Sequence, residues 1–354
     1  MKLSILDQAP VVAGQTPGDA LRSSALLAQA GERFGYSRYW LAEHHGLGGL
    51  ACSTPEVMLG MIGAMTSRIR IGAGAILLPY YKPYKVAETF RLLAALFPGR
   101  IDLGVARSPG GPAEISMALS DNYLERALRM PDDFAALVGY LNGEKPGTQE
   151  PGLGQKFRAE AEAEAGSGLG LGSRSAGTLG TSGDGPAPWV LGTSGKSASL
   201  AAAYGTGYAY GYFMNRENAA EAIATYRKSF DRSRGERPYV VLAVSAVCAD
   251  SQPRAEEIAR SVRAWRLLSG QGRGEAGIPG PDEAALLLGA SGPAGPDEPG
   301  LANAMIVGGP AQVRDRLSEL RETYGADELM IVSYAHDFAD RVRSYELIME
   351  ACGD

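Results

Sequence analysis

SRIRIGAGAILLPYYKPYKVAETFRLLAALFPGRIDLGVARSPG, residues 67–110, holds a complete strand–helix–strand unit. The run from Arg70 to Pro79, RIGAGAILLP, reads as a strand. In the helix that follows, Val86, Phe90, Leu93 and Phe97 recur at offsets of four, three and four, which puts them on one buried face. Pro98-Gly99 stops that helix, and IDLGVARS begins the next strand. The same alternation repeats toward both ends of the chain. Upstream, KLSILDQ (Lys2 to Gln8) is a strand, and Thr16-Pro17 sets a capping hydroxyl before a proline at the first helical position. RYWLAEH is the second strand, and Ser53-Thr54-Pro55-Glu56 reads as a capping box opening the second helix. Downstream come WVLGT (Trp189 to Thr193), GYAYGYF, YVVLAVSAVCA and ELMIVSY (Glu328 to Tyr334). Helices are predicted between them, with an extra one from about Pro310. Eight strand–helix units in succession are the arithmetic of an α/β fold of the (β/α)8 TIM-barrel type. A doubly wound sheet more often shows five or six.

Composition narrows the function classes. Thirty-four Lys and Arg against forty Asp and Glu leave 354 residues at a net charge of −6, which lacks the basic face nucleic acid needs. The 45% hydrophobic and 21% charged content is that of a soluble globular chain. No apolar run is long enough to span a bilayer, and Asp7, Gln8 and Pro10 interrupt any leader. Cys52, Cys248 and Cys352 are scattered and lack CxxC spacing, which argues against disulfides and thiolate metal sites. A cytoplasmic protein is expected. One barrel domain over residues 1–354 accounts for the length, with glycine-rich insertions at about 145–188 and 269–300. The first contains AEAEAEA and GSGLGLG; the latter follows no strand and so lacks the setting of a dinucleotide fingerprint. The second is expected to act as a lid.

Three constellations could carry chemistry. His44 and His45 stand at the C-terminal end of the second strand, where barrel catalysis collects, and an imidazole there can move a proton near neutral pH. A structural histidine hydrogen-bonded to the rim is the alternative. Adjacent strand residues face opposite ways, so the pair does not readily bind one metal. LGTSGKS (Leu191 to Ser197) is not a nucleotide-triphosphate loop, because Val190 stands where that motif needs glycine. It still places hydroxyls and glycine backbone at a helix N-terminus, which suits either a phosphate cradle or plain N-capping by Ser194. Arg107 could add a bidentate cation on the same face, or form a rim salt bridge. Small residues from Gly72 to Ala75 weaken a central strand unless a planar ring or a tight strand contact requires them.

Taken in order, RYWLAEHH, STPEV, SRIRIGAGAILLP, KPYKVAETFRLLAALFPGRIDLGVARSPG, WVLGTSGKSASLAAAYG and IVGGPAQVRDRL…GADELMIVS resemble the luciferase-like flavin-dependent monooxygenases. The resemblance covers most of the chain outside the two insertions, and is nearest to the natural-product subgroup of mensacarcin type. It implies a (β/α)8 barrel, reduced FMN delivered by a separate reductase, and O₂ carried as a flavin peroxide to an organic substrate of the polyketide kind. It implies a homodimer formed through the helices after strands two and three, with Gly60, Gly63 and Ala64 allowing close approach. His44 matches the family's catalytic histidine. Gly74-Ala75 matches a non-prolyl cis peptide under the flavin ring. Arg107, Thr193, Ser194, Gly195 and Ser197 match its phosphate-binding positions.

The sequence also departs from the luciferases proper. Ala106 replaces a cysteine, Thr193 an acidic residue, and Gly211-Tyr212 a Ser-Trp pair. These changes argue against light emission and long-chain aldehyde oxidation while leaving FMN binding. A deazaflavin-dependent dehydrogenase and a non-catalytic flavin-binding protein are the competing readings.

Overall fold

The computed structural model describes residues 1–146, 185–289 and 305–353. Among them are nine strands: β1 (Leu3–Asp7), β2 (Arg38–Leu41), β3 (Arg70–Leu77), β4 (Ile101–Ala106), β5 (Ala187–Gly192), β6 (Gly207–Gly211), β7 (Val240–Cys248), β8 (Met305–Gly308) and β9 (Glu328–Val332). All pairings between these strands are parallel, and every strand except β8 joins a closed ring in which β9 returns to β1. The eight-stranded barrel expected from the strand count is therefore present. The extra strand, β8, not expected from the sequence, extends the ring outward. Its four residues pair with the upper half of β7, Ser245 opposite Met305 and Cys248 opposite Gly308. That pairing explains why YVVLAVSAVCA is apolar for so long. The lower half of β7 is covered by β6 and β9 and the upper half by β8, so every residue of it is buried.

The helices are α1 (Pro17–Phe34), α2 (Pro55–Met65), α3 (Pro83–Leu96), the short α4 (Ala113–Leu119), α5 (Tyr123–Leu128) and α6 (Met130–Leu141), then α7 (Gly195–Ala203), α8 (Ala219–Ser229), α9 (Gln252–Gly270), α10 (Pro281–Leu288), α11 (Pro310–Tyr324) and α12 (Phe338–Cys352). Local chemistry starts α1 as the sequence suggests. Thr16 Oγ1 accepts from Asp19 N–H at 3.2 Å, and the Asp19 carboxylate accepts from Thr16 N–H at 2.9 Å. The capping box assigned to the start of α2 does not form. Thr54 is the N-cap and its side chain makes no capping bond, while Glu56 turns a buried Oε2 inward with no partner among the described residues. On α3, Val86, Phe90 and Leu93 are buried as the periodicity requires, and Phe97 packs where a Cβ on Gly63 of α2 would overlap its ring.

The barrel lumen is filled rather than open. Leu6, Trp40, Ala42, Trp189, Ala209, Val241, Ala243, Met330 and Val332 form one buried cluster along the axis. Trp40 and Trp189 meet edge to face at 5.3 Å. Below them lies a buried polar floor. Arg38 donates to Glu328 at 2.8 Å and to Asp102 at 2.8 Å, and Arg70 and the Trp40 indole also donate to Asp102. Burial alone would raise the Asp102 carboxyl, but Arg38 and Arg70 beside it hold it below its ordinary range. The N-terminal end of the barrel is thereby closed, which leaves chemistry to the C-terminal mouth.

Candidate active site

The second strand ends in Glu43, His44 and His45, and the three side chains have different fates. Glu43 is 2% exposed. Its Oε1 accepts from His45 Nε2 at 2.7 Å and from Tyr81 Oη at 2.7 Å, and its Oε2 accepts from Leu77 N–H at 3.0 Å. His45 is thus committed to the rim, the outcome the sequence left open for either histidine. His44 is different. Its backbone N–H donates to Cys52 O at 2.9 Å, while its Nδ1 is buried without a partner among the described residues. Burial first, and neighbouring His45 second, push the His44 imidazolium down to about 4. At neutral pH the ring is uncharged.

On the adjacent β3 the Gly74–Ala75 peptide bond is cis, and pairing with β4 skips from Ala73–Leu103 to Ile76–Val105 across it. The small residues here answer mainly to packing. A Cβ on Gly72 would stand 2.5 Å from Asp102 O, and one on Gly74 would stand 2.9 Å from Leu6 Cδ1 and 3.0 Å from Trp40 Cε3. One flat ring of the chain's own, the Trp40 indole, already stands against Gly74. Gly74 is filled in on the side where Leu6 and Trp40 stand.

β4 ends at Ala106, and exposed Arg107 follows. No ion pair holds its guanidinium among the described residues. Its carbonyl accepts from Tyr123 Oη. Next door, β5 leads through Thr193 into α7. The register Val105–Val190 sets the Arg107 turn beside the Gly192–Ser194 turn. Ser194 caps α7 reciprocally with Ser197, through bonds of 3.3 and 3.4 Å, and Ser197 Oγ also meets Tyr208 Oη at 3.1 Å. The capping role is therefore realised, with long bonds that a stronger acceptor could replace. A Cβ on Gly195 would meet nothing within 4 Å, so the backbone of the first turn is open to approach. His44, Ala75, Arg107 and the Thr193–Ser197 turn thus occupy the C-terminal ends of four successive strands.

The rest of the mouth is partly closed. Within the stretch expected to be a lid, the described residues 269–289 hold a 3-10 turn at Gly274–Ala276 and the helix α10. They are tied down: Ile278 N–H donates to Val11 O at 2.9 Å, Ala13 N–H donates to Ile278 O at 2.9 Å, and Trp265 Nε1 donates to Gly274 O at 3.2 Å. His336, the third histidine, donates from Nδ1 to Ile278 O at 3.1 Å. Ile278 is buried with Trp265 and Tyr334 over the lumen cluster. This part of the segment is a built wall, and residues 290–300 lie outside the described residues, as do AEAEAEA and GSGLGLG. Among the described residues no helix is long and apolar enough to cross a membrane. The three cysteines are buried and unpaired.

Sequence reasoning passed over Glu43, Tyr80 and Tyr81. The available signal was a carboxylate inside an otherwise apolar strand end, LAEHH, which must find donors when buried.

The fold and this sector define a class. A family model described as luciferase-like monooxygenase matches residues 1–328. YwcH of Bacillus subtilis (strain 168) is 38% identical over all of both chains, and a luciferase-like monooxygenase of Escherichia coli (strain K12) is 32% identical over 98% of this chain and 96% of its own. The crystal structure of apo-MsnO8 superposes with a TM-score of 0.80 at 34% identity, covering 99% of this chain and 97% of that one. The chain belongs to the luciferase-like monooxygenase family, and is an oxidoreductase of the monooxygenase class.

Proposed function

We propose that this chain uses reduced FMN and O₂ to oxygenate an organic substrate, the reduced flavin arriving from a separate reductase. The observation that carries this reading is the sector just described. Among the described residues, a buried Nδ1 on His44 without a partner, a guanidinium on Arg107 without an ion pair, and an open helix N-terminus follow β2, β4 and β5, in one sector of the ring. That donor set fits a flavin mononucleotide. A phosphate dianion would be held by Arg107 and by the hydroxyls and backbone N–H groups of Thr193, Ser194, Gly195 and Ser197. The weak Ser194–Ser197 bonds are the ones it would replace. The flavin ring would approach the Gly74–Ala75 peptide from the mouth side. When bound, reduced FMN supplies two electrons and O₂ supplies the oxygen atom.

The chain's own residues do the remainder. His44, uncharged at working pH, accepts or returns a proton at Nδ1. The wall formed by Trp265, Ile278 and Tyr334 keeps water from the lumen side. A sizeable organic substrate such as an aromatic polyketide, and with it a place in antibiotic biosynthesis, is part of the proposal; exposed Leu47 and Met214, in the loops after β2 and β6, would offer it apolar contacts. A homodimer is part of the proposal. Val57, Met61 and Ala64 of α2 and Leu92 and Leu96 of α3 are exposed, and Gly60 has open space over it, whereas Gly63 faces Phe97 of the same chain. Buried free thiols fit a reducing cytoplasm.

The test is ligand discrimination. FMN is expected to bind tighter than riboflavin, and Arg107→Ala to weaken FMN by about 1.5–3 kcal/mol while leaving riboflavin unchanged. Equal affinities in the parent protein would remove the phosphate anchor. Labelled oxygen from O₂ appearing in product, and none with a deazaflavin donor, would decide between oxygenation and dehydrogenation.

A further inference from the structure

We infer that Glu43 is a positioning residue: it fixes the tautomer of His45 and, through His45 and Tyr80, the turn that carries Arg107. One buried carboxylate joins the ends of three strands. Directly, it accepts from His45 of the β2 end, from Leu77 N–H of β3 and from Tyr81 just beyond it. His45 passes the constraint on to the turn after β4. Its backbone N–H donates to Gly110 O at 2.9 Å, and its ring stands edge-on to Tyr80 at 5.7 Å and 89°. Tyr80 Oη donates to Pro109 O at 2.6 Å and lies 2.8 Å from Ser116 Oγ. The contact is too close to be incidental. Gly110, at φ +63°, has no room for a Cβ because Leu77 occupies it, and a Cβ on Gly111 would overlap His45 O. The Arg107–Gly111 turn is thus pressed against the end of the second strand, and Glu43 anchors the residue it is pressed against.

The chemistry fixes a direction. An ionised carboxylate only accepts, so the neutral His45 ring must carry its hydrogen on Nε2, leaving Nδ1 bare. In Glu43→Gln the amide oxygen would stay with Leu77 N–H and the NH₂ would face His45 and Tyr81. His45 Nε2 would then have to accept, and the ring hydrogen would move to Nδ1. Removing the charge also relaxes the anchor on the Arg107 turn. The part of the inference that concerns flavin rests on the reading that Arg107 meets the FMN phosphate; the tautomer does not.

The experiment uses isotope-labelled histidine. The chain has only three histidines, so the ring-nitrogen spectrum is simple, and loss of a signal in His45→Gln assigns it. At about pH 8 the parent is expected to show His45 protonated on Nε2, and Glu43→Gln to show it protonated on Nδ1. In the same samples Glu43→Gln should weaken FMN about tenfold or more and riboflavin hardly at all. Tyr80→Phe should weaken FMN in the same selective way while leaving the His45 tautomer as in the parent. A parent His45 protonated on Nδ1 overturns the inference even if Glu43→Gln does not fold. So does a folded Glu43→Gln with the parental tautomer, or a Tyr80→Phe with parental FMN selectivity in a parent that prefers FMN. A parent that binds FMN and riboflavin alike retires the phosphate reading, and the tautomer in Glu43→Gln then decides the role of Glu43.

Discussion

His44 should leave a trace in stability as well as in chemistry. In the folded chain its pKa lies at about 4, against an ordinary value of 6.5, because burial and then His45 oppose its charge. Between those two values the unfolded chain binds a proton that the native chain refuses. Stability from this residue is therefore fully present above about pH 6.5 and is lost as the pH falls toward about 4. A gap of about two and a half units corresponds to at most about 3 kcal/mol. Asp7 and Asp102, held low in spite of burial by Arg341 and by Arg38 with Arg70, lose their contributions only below the ordinary carboxylate range, so they do not mask the window. The perturbation is His44→Gln, which keeps a polar side chain and removes the titration. Urea unfolding of both proteins, stepped from about pH 7 to about pH 4, gives a difference curve in which every other group cancels. The parent's advantage should shrink by about 3 kcal/mol across that range. A flat difference curve would show that His44 is solvated in the native state. The claim that a neutral ring waits at the mouth would then fail with it.

Other outcomes follow from the same geometry. His44→Ala should leave FMN affinity near parental while single-turnover product formation drops by about 10²–10⁴; parental turnover would remove His44 from the chemistry. Val57→Glu with Leu92→Glu should shift the protein to monomer in sedimentation at micromolar concentration without lowering its thermal midpoint, since both side chains are exposed. A monomeric parent would end the dimer proposal. Gly104→Ala should cost about 1–3 kcal/mol in urea unfolding, because its Cβ would overlap the Ala73 carbonyl and press on Leu191 Cδ1. A neutral substitution there would mean that β3 and β4 can part more easily than their packing suggests.

The barrel was legible because its signals are local. A two-residue cap such as Thr16-Pro17, a stop such as Pro98-Gly99 and the spacing of Val86, Phe90 and Leu93 each act within about two turns of chain. β8 escaped notice because its four residues are placed by pairing with Ser245–Cys248, some sixty residues away, not by any pattern of their own. The α2 capping box failed for a related reason. Glu56 has the spacing to reach back to Ser53, but it turns toward Glu43 and Tyr81 instead, where its Oε2 is buried. There burial, with Glu43 adding, pushes its carboxyl above the ordinary range. Sequence could also say that LAEHH carries two histidines, but it could not divide their labour. That division is made by a carboxylate two residues from His45 and by donors from β3 and the turn beyond it, which only the closed barrel brings within 3.0 Å. Glu43 claims His45 at Nε2, whereas His44 keeps a buried Nδ1 that has no partner among the described residues. The choice between two adjacent, chemically identical side chains is thus settled by the residue before them.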